Sequence, residues 1–102
     1  MYKRQEHCAS NQWVVTDSSA ALKQLAERIE ATPRTEIVEQ RANYLHATYS
    51  SRIFGFIDDV ELSATDAVTL EARSISRLGE SDLGVNAQRL ESLGTTIETP
   101  EA

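Results

Sequence analysis

Phe56-Ile57-Asp58-Asp59-Val60-Glu61-Leu62, a polar gap around Ala64-Thr65-Asp66, and Val68-Thr69-Leu70-Glu71-Ala72-Arg73-Ser74-Ile75-Ser76-Arg77 decide the fold. A period of two puts Phe56, Val60 and Leu62 on one face of the first run and Val68, Leu70 and Ala72 on the matching face of the second. Asp59, Glu61, Glu71, Arg73 and Arg77 fall on the other face. A hairpin with a five-residue loop is the simplest connection. One apolar and one charged face describe an antiparallel sheet covered on one side only. Asp58 lands on the apolar face, where a carboxylate needs an arginine or helix-end amides.

Working outward, residues 35–40 and 43–50 read as two further strands joined tightly through Arg41-Ala42-Asn43. The second of these places Leu45, Ala47 and Tyr49 inward and Tyr44, His46 and Thr48 outward, and Gly55 bends the chain before the next strand. Asp17-Ser18-Ser19 caps a helix over about 17–31, with Leu22, Leu25, Ala26 and Ile29 as its apolar stripe and Pro33 preventing continuation. Ser81 or Asp82 caps a second helix over about 82–93, striped by Leu83, Ala87, Leu90 and Leu93 and ended by Gly94. The expected fold is α+β: a four-stranded antiparallel sheet over about 35–77 with both helices on one face. Residues 1–12 read as a polar arm, 13–97 as one domain and 98–102 as a polar tail, with Ile97 docked. Trp13-Val14-Val15-Thr16 reads as a short strand or a staple before the first helix.

A chain of 102 residues supports one domain, and 40% apolar content supplies a modest core. A formal charge of −6 disfavours a general nucleic-acid or anionic-membrane binder, although arginines gather between positions 73 and 89. One cysteine, Cys8, excludes an internal disulfide. No apolar run reaches the roughly 20 residues of a spanning helix, and no apolar stretch follows the basic start. Tyr2-Lys3-Arg4-Gln5 is what one reading frame of a sequencing-library adapter encodes. The expectation is therefore an environmental sequence that has lost its native N-terminus.

The candidate polar cluster is Arg52, Asp58, Asp59, Arg73, Arg77, Ser81, Asp82, Asn86 and Arg89. One reading makes it an internal network in which Asp58 pairs with Arg52 or Arg89 and fixes how helix and sheet dock. The other makes it a small-anion site at a helix start near Gly84, opposed by the charges of Glu80 and Asp82. A hydrolase would combine Ser74, Ser76 or Ser81 with His46 and an acid, but no serine sits in a nucleophile elbow. A metal would need Asp59, Glu61 and His46 on neighbouring strands, since Asp58 and Asp59 point to opposite faces. No phosphate loop or dinucleotide fingerprint implies a cofactor.

Tyr44-Leu45-His46-Ala47, Ser51-Arg52-Ile53-Phe54-Gly55-Phe56-Ile57-Asp58-Asp59-Val60-Glu61, Arg73-Ser74-Ile75-Ser76-Arg77 and Ser81-Asp82-Leu83-Gly84-Val85-Asn86 occur in one order, with Pro33-Arg34-Thr35 ahead of them. In order and spacing the chain resembles domain of unknown function 1499 over roughly residues 8–93. Glu80 stands where that family usually has an aromatic, and the arm after Cys8 is shorter than usual. The resemblance implies a small bacterial domain, often behind a signal or membrane-anchoring segment in the envelope or periplasm, with no established activity. Together the residues argue for a binding or interaction module whose partner is a protein or a small anion, with the exposed sheet face as its contact surface. Membrane contact is expected only through a missing N-terminal anchor. The alternative is a hydrolase or small-anion-binding protein using Asp58, Arg73, Arg77 and Ser81.

Overall fold

The computed structural model describes residues 8–51, 56–77 and 85–97. Helix α1 (Ser18–Glu30) starts where the sequence places its cap: Asp17 is extended, and its carboxylate accepts from the Ala20 amide at 3.2 Å. Ala21, Leu22, Leu25, Ala26 and Ile29 form its buried stripe. The helix end is closed by Thr35, whose Oγ1 donates to the Ile29 carbonyl at 2.6 Å and the Thr32 carbonyl at 2.9 Å. Between Pro33 and Thr35 the chain turns sharply through Arg34, which sits at φ 61, a left-handed conformation that costs a residue with a Cβ about 1–2 kcal/mol.

Strands β2 (Thr35–Arg41), β3 (Tyr44–Ser50), β4 (Ile57–Asp66) and β5 (Thr69–Ser76) follow as an antiparallel meander. The sheet has five strands rather than four. Strand β1 (Cys8–Val14) runs antiparallel along β5, from Cys8 opposite Ile75 to Val14 opposite Thr69, giving the order β1-β5-β4-β3-β2. Its polar composition disguises it, because only Ala9 is buried and Trp13 half-buried on its inner side. What makes it a strand is the otherwise unpaired outer edge of β5, whose backbone groups need partners.

The β4–β5 connection is also tighter than expected. Strand β4 continues to Asp66 across a register shift between Ala64 and Asp66, leaving Ala67 and Val68 as the turn. Asp66 stabilises that turn by accepting from the Val68 amide at 3.0 Å. Val68 is therefore a turn residue, 44% exposed, and Phe56, just ahead of β4, is 49% exposed; neither joins the core. The other inward assignments hold: Leu45, Ala47, Val60, Leu62 and Leu70 are fully buried and Ala72 nearly so.

Helix α2 is described over Val85–Gly94; its expected start near residue 82 lies outside the described residues. Its buried positions are Asn86, Leu90 and Leu93, whereas Ala87 is exposed. Over the described residues the inward stripe begins on a polar side chain, one position from the expected alanine, and the expected stripe residue Leu83 lies outside them. Ile97 docks at 7% exposure. Helix α1 packs under β2 to β5 and α2 under β1 and β5. Both lie against the inner face, and among the described residues no element covers the other face. Among the described residues, no helix is long and apolar enough to cross a membrane.

Candidate functional site

The sequence-predicted polar residues divide between the two faces of the sheet. Beneath it, Asp58 and Ser76 lie opposite each other on β4 and β5, and Ser74 is two residues back on β5. Arg89 reaches up from α2 between them. Its Nη1 donates to Asn86 Oδ1 at 2.8 Å and Ser74 Oγ at 3.0 Å and forms an ion pair with Asp58 Oδ2 at 2.9 Å. The guanidinium also stacks over the Tyr49 ring, 4.5 Å from its centroid. Ser74 Oγ donates to Asn86 Oδ1, and Asn86 Nδ2 donates to Ser76 Oγ at 2.9 Å. Burial pushes the Tyr49 phenol above its ordinary pKa, with Arg89 acting in the opposite direction.

Ser74 and Asn86 are completely buried, and among the described residues no buried side-chain nitrogen or oxygen is left without a hydrogen bond. A fully satisfied network of this kind positions elements against each other and offers little to a ligand. Asp58 has the arginine that its parity demanded, and that arginine is Arg89. Arg52, Ser81 and Asp82 of the expected cluster, and Glu80 and Gly84 of the anion reading, lie outside the described residues.

On the uncovered face, register alignment builds cross-strand rows. One runs Cys8–Ile75–Asp59–Thr48–Glu36, the next Ser10–Arg73–Glu61–His46–Glu39, and the third Gln12–Glu71–Ser63–Tyr44–Arg41. Several of these side chains are engaged. Arg77 grips Asp59 with both arms of its fork, Nε to Oδ2 at 2.8 Å and Nη2 to Oδ1 at 3.0 Å. His46 Nε2 meets Asp59 Oδ1 at 2.8 Å from the neighbouring strand. The Arg77 hydrogen bond, with help from His46, holds the Asp59 carboxyl below its ordinary value despite partial burial. Tyr44 donates to Glu61 Oε2 at 2.5 Å, and this pushes the phenol up to about 12. Arg41 pairs with Glu39 at 2.8 Å and lies over the Tyr44 ring.

Between these engaged groups lies an open groove of about 500 Å³, lined by side chains and backbone of Ser10, Asn11 and Gln12 from β1, Tyr44 from β3, Glu61 and Ser63 from β4, and Glu71, Ala72 and Arg73 from β5. Six arginines are described. Arg41, Arg77 and Arg89 each carry a carboxylate, while Arg28, Arg34 and Arg73 have none within ion-pair distance among the described residues. Arg73 stands directly opposite Glu61, whose Oε2 is held towards β3 by Tyr44.

Thus Asp58, Asn86 and Arg89 meet under the sheet, Asp59 and Arg77 meet on top of it, and Arg73 lines a groove beside the second group. Ser74 and Ser76 are on the face opposite His46, so they do not assemble a serine–histidine pair with it. His46, Asp59 and Glu61 do share a face, but no group of three or more such ligand types among the described residues is placed to hold a metal ion. Sequence reasoning named Arg73 but missed its surroundings: Ser10, Gln12, Ser63 and Tyr44. The period of two that placed Arg73 outward would also have placed Ser10 and Gln12 there, had residues 8–14 been read as a strand.

No curated protein and no solved structure matches the chain. A family model does match, over residues 3–97, and it is described as protein of unknown function (DUF1499). With nearly the whole length covered, the chain belongs to the DUF1499 family.

Proposed function

We propose that this chain is a ligand-binding domain that takes its ligand on the uncovered face of the sheet. The observation that carries this reading is the asymmetry of the molecule. Both helices cover one face, and the other presents an open polar groove of about 500 Å³, within the size range of small-molecule sites. The buried Asp58–Arg89 network has its hydrogen bonds satisfied internally and serves docking of α2. That supports the groove, rather than this network, as the contact surface. The envelope placement implied by the family resemblance belongs to the same proposal, with the domain working outside the cytoplasm behind an N-terminal segment. Fractionation of cells expressing the full-length gene product tests that part.

The binding reading is tested by a thermal-shift screen of small polar compounds on the wild-type chain and on Ser63→Trp, which fills the groove floor. A ligand present at about a hundred times its Kd stabilises the folded state by about 2.7 kcal/mol, a shift of about 10–20 °C for a domain of this size. At least one compound should stabilise the wild type and not Ser63→Trp. A panel with no stabiliser, or stabilisation equal in the two proteins, overturns the proposal.

A further inference from the structure

We infer that the groove receives a small zwitterion, an amino acid or dipeptide, with its carboxylate on Arg73 and its ammonium on Glu71. This rests on the reading of the open face as the binding surface and deepens it. Arg73 is a guanidinium on an exposed position of β5 with no carboxylate in ion-pair distance among the described residues. The nearest cross-strand acid, Glu61, is the residue opposite it, and Tyr44 holds Glu61 Oε2 at 2.5 Å. Tyr44 therefore acts as a positioning residue that keeps Glu61 from satisfying Arg73. A guanidinium held in this way presents the planar fork that a carboxylate accepts in two parallel hydrogen bonds.

Glu71 supplies the opposite charge. It is exposed, two residues before Arg73 on the same side of β5, and no cation among the described residues pairs with it. Two residues along a strand separate Cα positions by roughly 6.5–7 Å, a spacing that the charged termini of a dipeptide can bridge, and no ion pair joins Glu71 to Arg73 in the structure. Gln12 and Ser63 stand on either side of Glu71, and Ser10 beside Arg73. They offer neutral donors and acceptors for the ligand's amide or side chain.

The charge pattern selects against the other small ligands. Glu61 and Glu71 repel inorganic phosphate or a dicarboxylate, and Arg73 repels a diamine. A ligand carrying one charge of each sign matches Glu71 and Arg73 while leaving the Tyr44–Glu61 hydrogen bond intact.

The test is a titration of the isotope-labelled chain with glycylglycine, followed by amide NMR shifts, with acetate and ethylammonium titrated separately. Glycylglycine should move the amides of Gln12, Ser63, Glu71 and Arg73. Arg73→Gln and Glu71→Gln should each weaken binding roughly tenfold, as expected for one lost charge-assisted contact, with unchanged melting temperatures. Acetate and ethylammonium should each bind at least as weakly as those variants bind glycylglycine. The inference is overturned by the absence of shifts at about 10 mM, by shifts mapping elsewhere, or by equal affinity in Arg73→Gln. A non-zwitterionic stabiliser that is lost in Ser63→Trp would overturn the zwitterion while leaving the open-face reading standing. Insensitivity of every stabiliser to Ser63→Trp removes both.

Discussion

Replacing Arg89 with methionine removes the centre of the polar network between α2 and the sheet. The Asp58 and Arg89 side chains are 14% and 15% exposed, so the pair is largely withdrawn from water but not sealed. Stranding one partner of a fully buried pair costs about 3–5 kcal/mol, and this exposure places the loss near the lower bound. Loss of the guanidinium from the Tyr49 ring adds about 0.5–1 kcal/mol. Asn86 Oδ1 keeps Ser74 as a donor, so no further large term arises. The sum is about 3–4 kcal/mol, a large fraction of the 5–15 kcal/mol typical of a folded domain. Trp13, the chain's sole tryptophan, lies against Gly94 at the end of α2, so its fluorescence reports directly on that helix. With a urea slope of about 1–2 kcal/mol/M, the unfolding midpoint of Arg89→Met should fall by about 2 M. Asp58→Asn in the same background should recover part of the loss, with a coupling of about 1–3 kcal/mol in the double-mutant cycle. A loss below about 1 kcal/mol, or a coupling of zero, would show that the pair does not dock the helix and would refute the reasoning.

Three further outcomes are expected. Because the Asp59 carboxyl is held low by Arg77 and His46, its contribution to stability is fully present above the ordinary aspartate value of about 3.9 and is lost as pH falls through the lowered folded value. Chemical denaturation across the acid range should show a shallower decline for Asp59→Asn, and parallel curves would count against the assignment. Gly94→Ala would bring a Cβ to 2.9 Å from Trp13 Cε2 and Nε1, so despite the better helix propensity of alanine it should lower stability by about 1–2 kcal/mol and change Trp13 emission. At Arg34, glycine should be neutral or stabilising by up to about 1 kcal/mol, while valine should cost about 1–2 kcal/mol, because φ is 61 there. Melting temperatures of the two variants check this, and equal values would contradict the backbone argument.

Periodicity carried the bounds of α1 and most of the inner face because burial acts on every second strand residue and every third or fourth helix residue alike. Asp17 as cap, Leu25 and Ile29 inward, Leu45 and Ala47 inward, and Asp58 as a carboxylate in need of an arginine all follow from local rules. Ala87 shows the limit of that approach. Apolarity suggested it as the inward residue, but the position one earlier is the buried one, because Asn86 has Ser74 and Ser76 waiting on β5. A polar residue can occupy the core face only when another element supplies its partners, and those partners are distant in sequence.

The α+β class, the four-strand meander and the two helices on one face were legible in the residues alone. These rest on interactions between residues close along the chain and on hydrophobic alternation, both of which are readable one segment at a time. Tertiary structure decided the fifth strand, the partner of Asp58 and the existence of the groove. Strand β1 forms because β5, some sixty residues later, leaves an edge to be paired. Its pairing then brings Ser10 and Gln12 beside Arg73 and Glu71, completing a polar surface from residues that have no local pattern in common. Register across an edge is a property of two distant segments at once, and for that reason neither segment displays it alone.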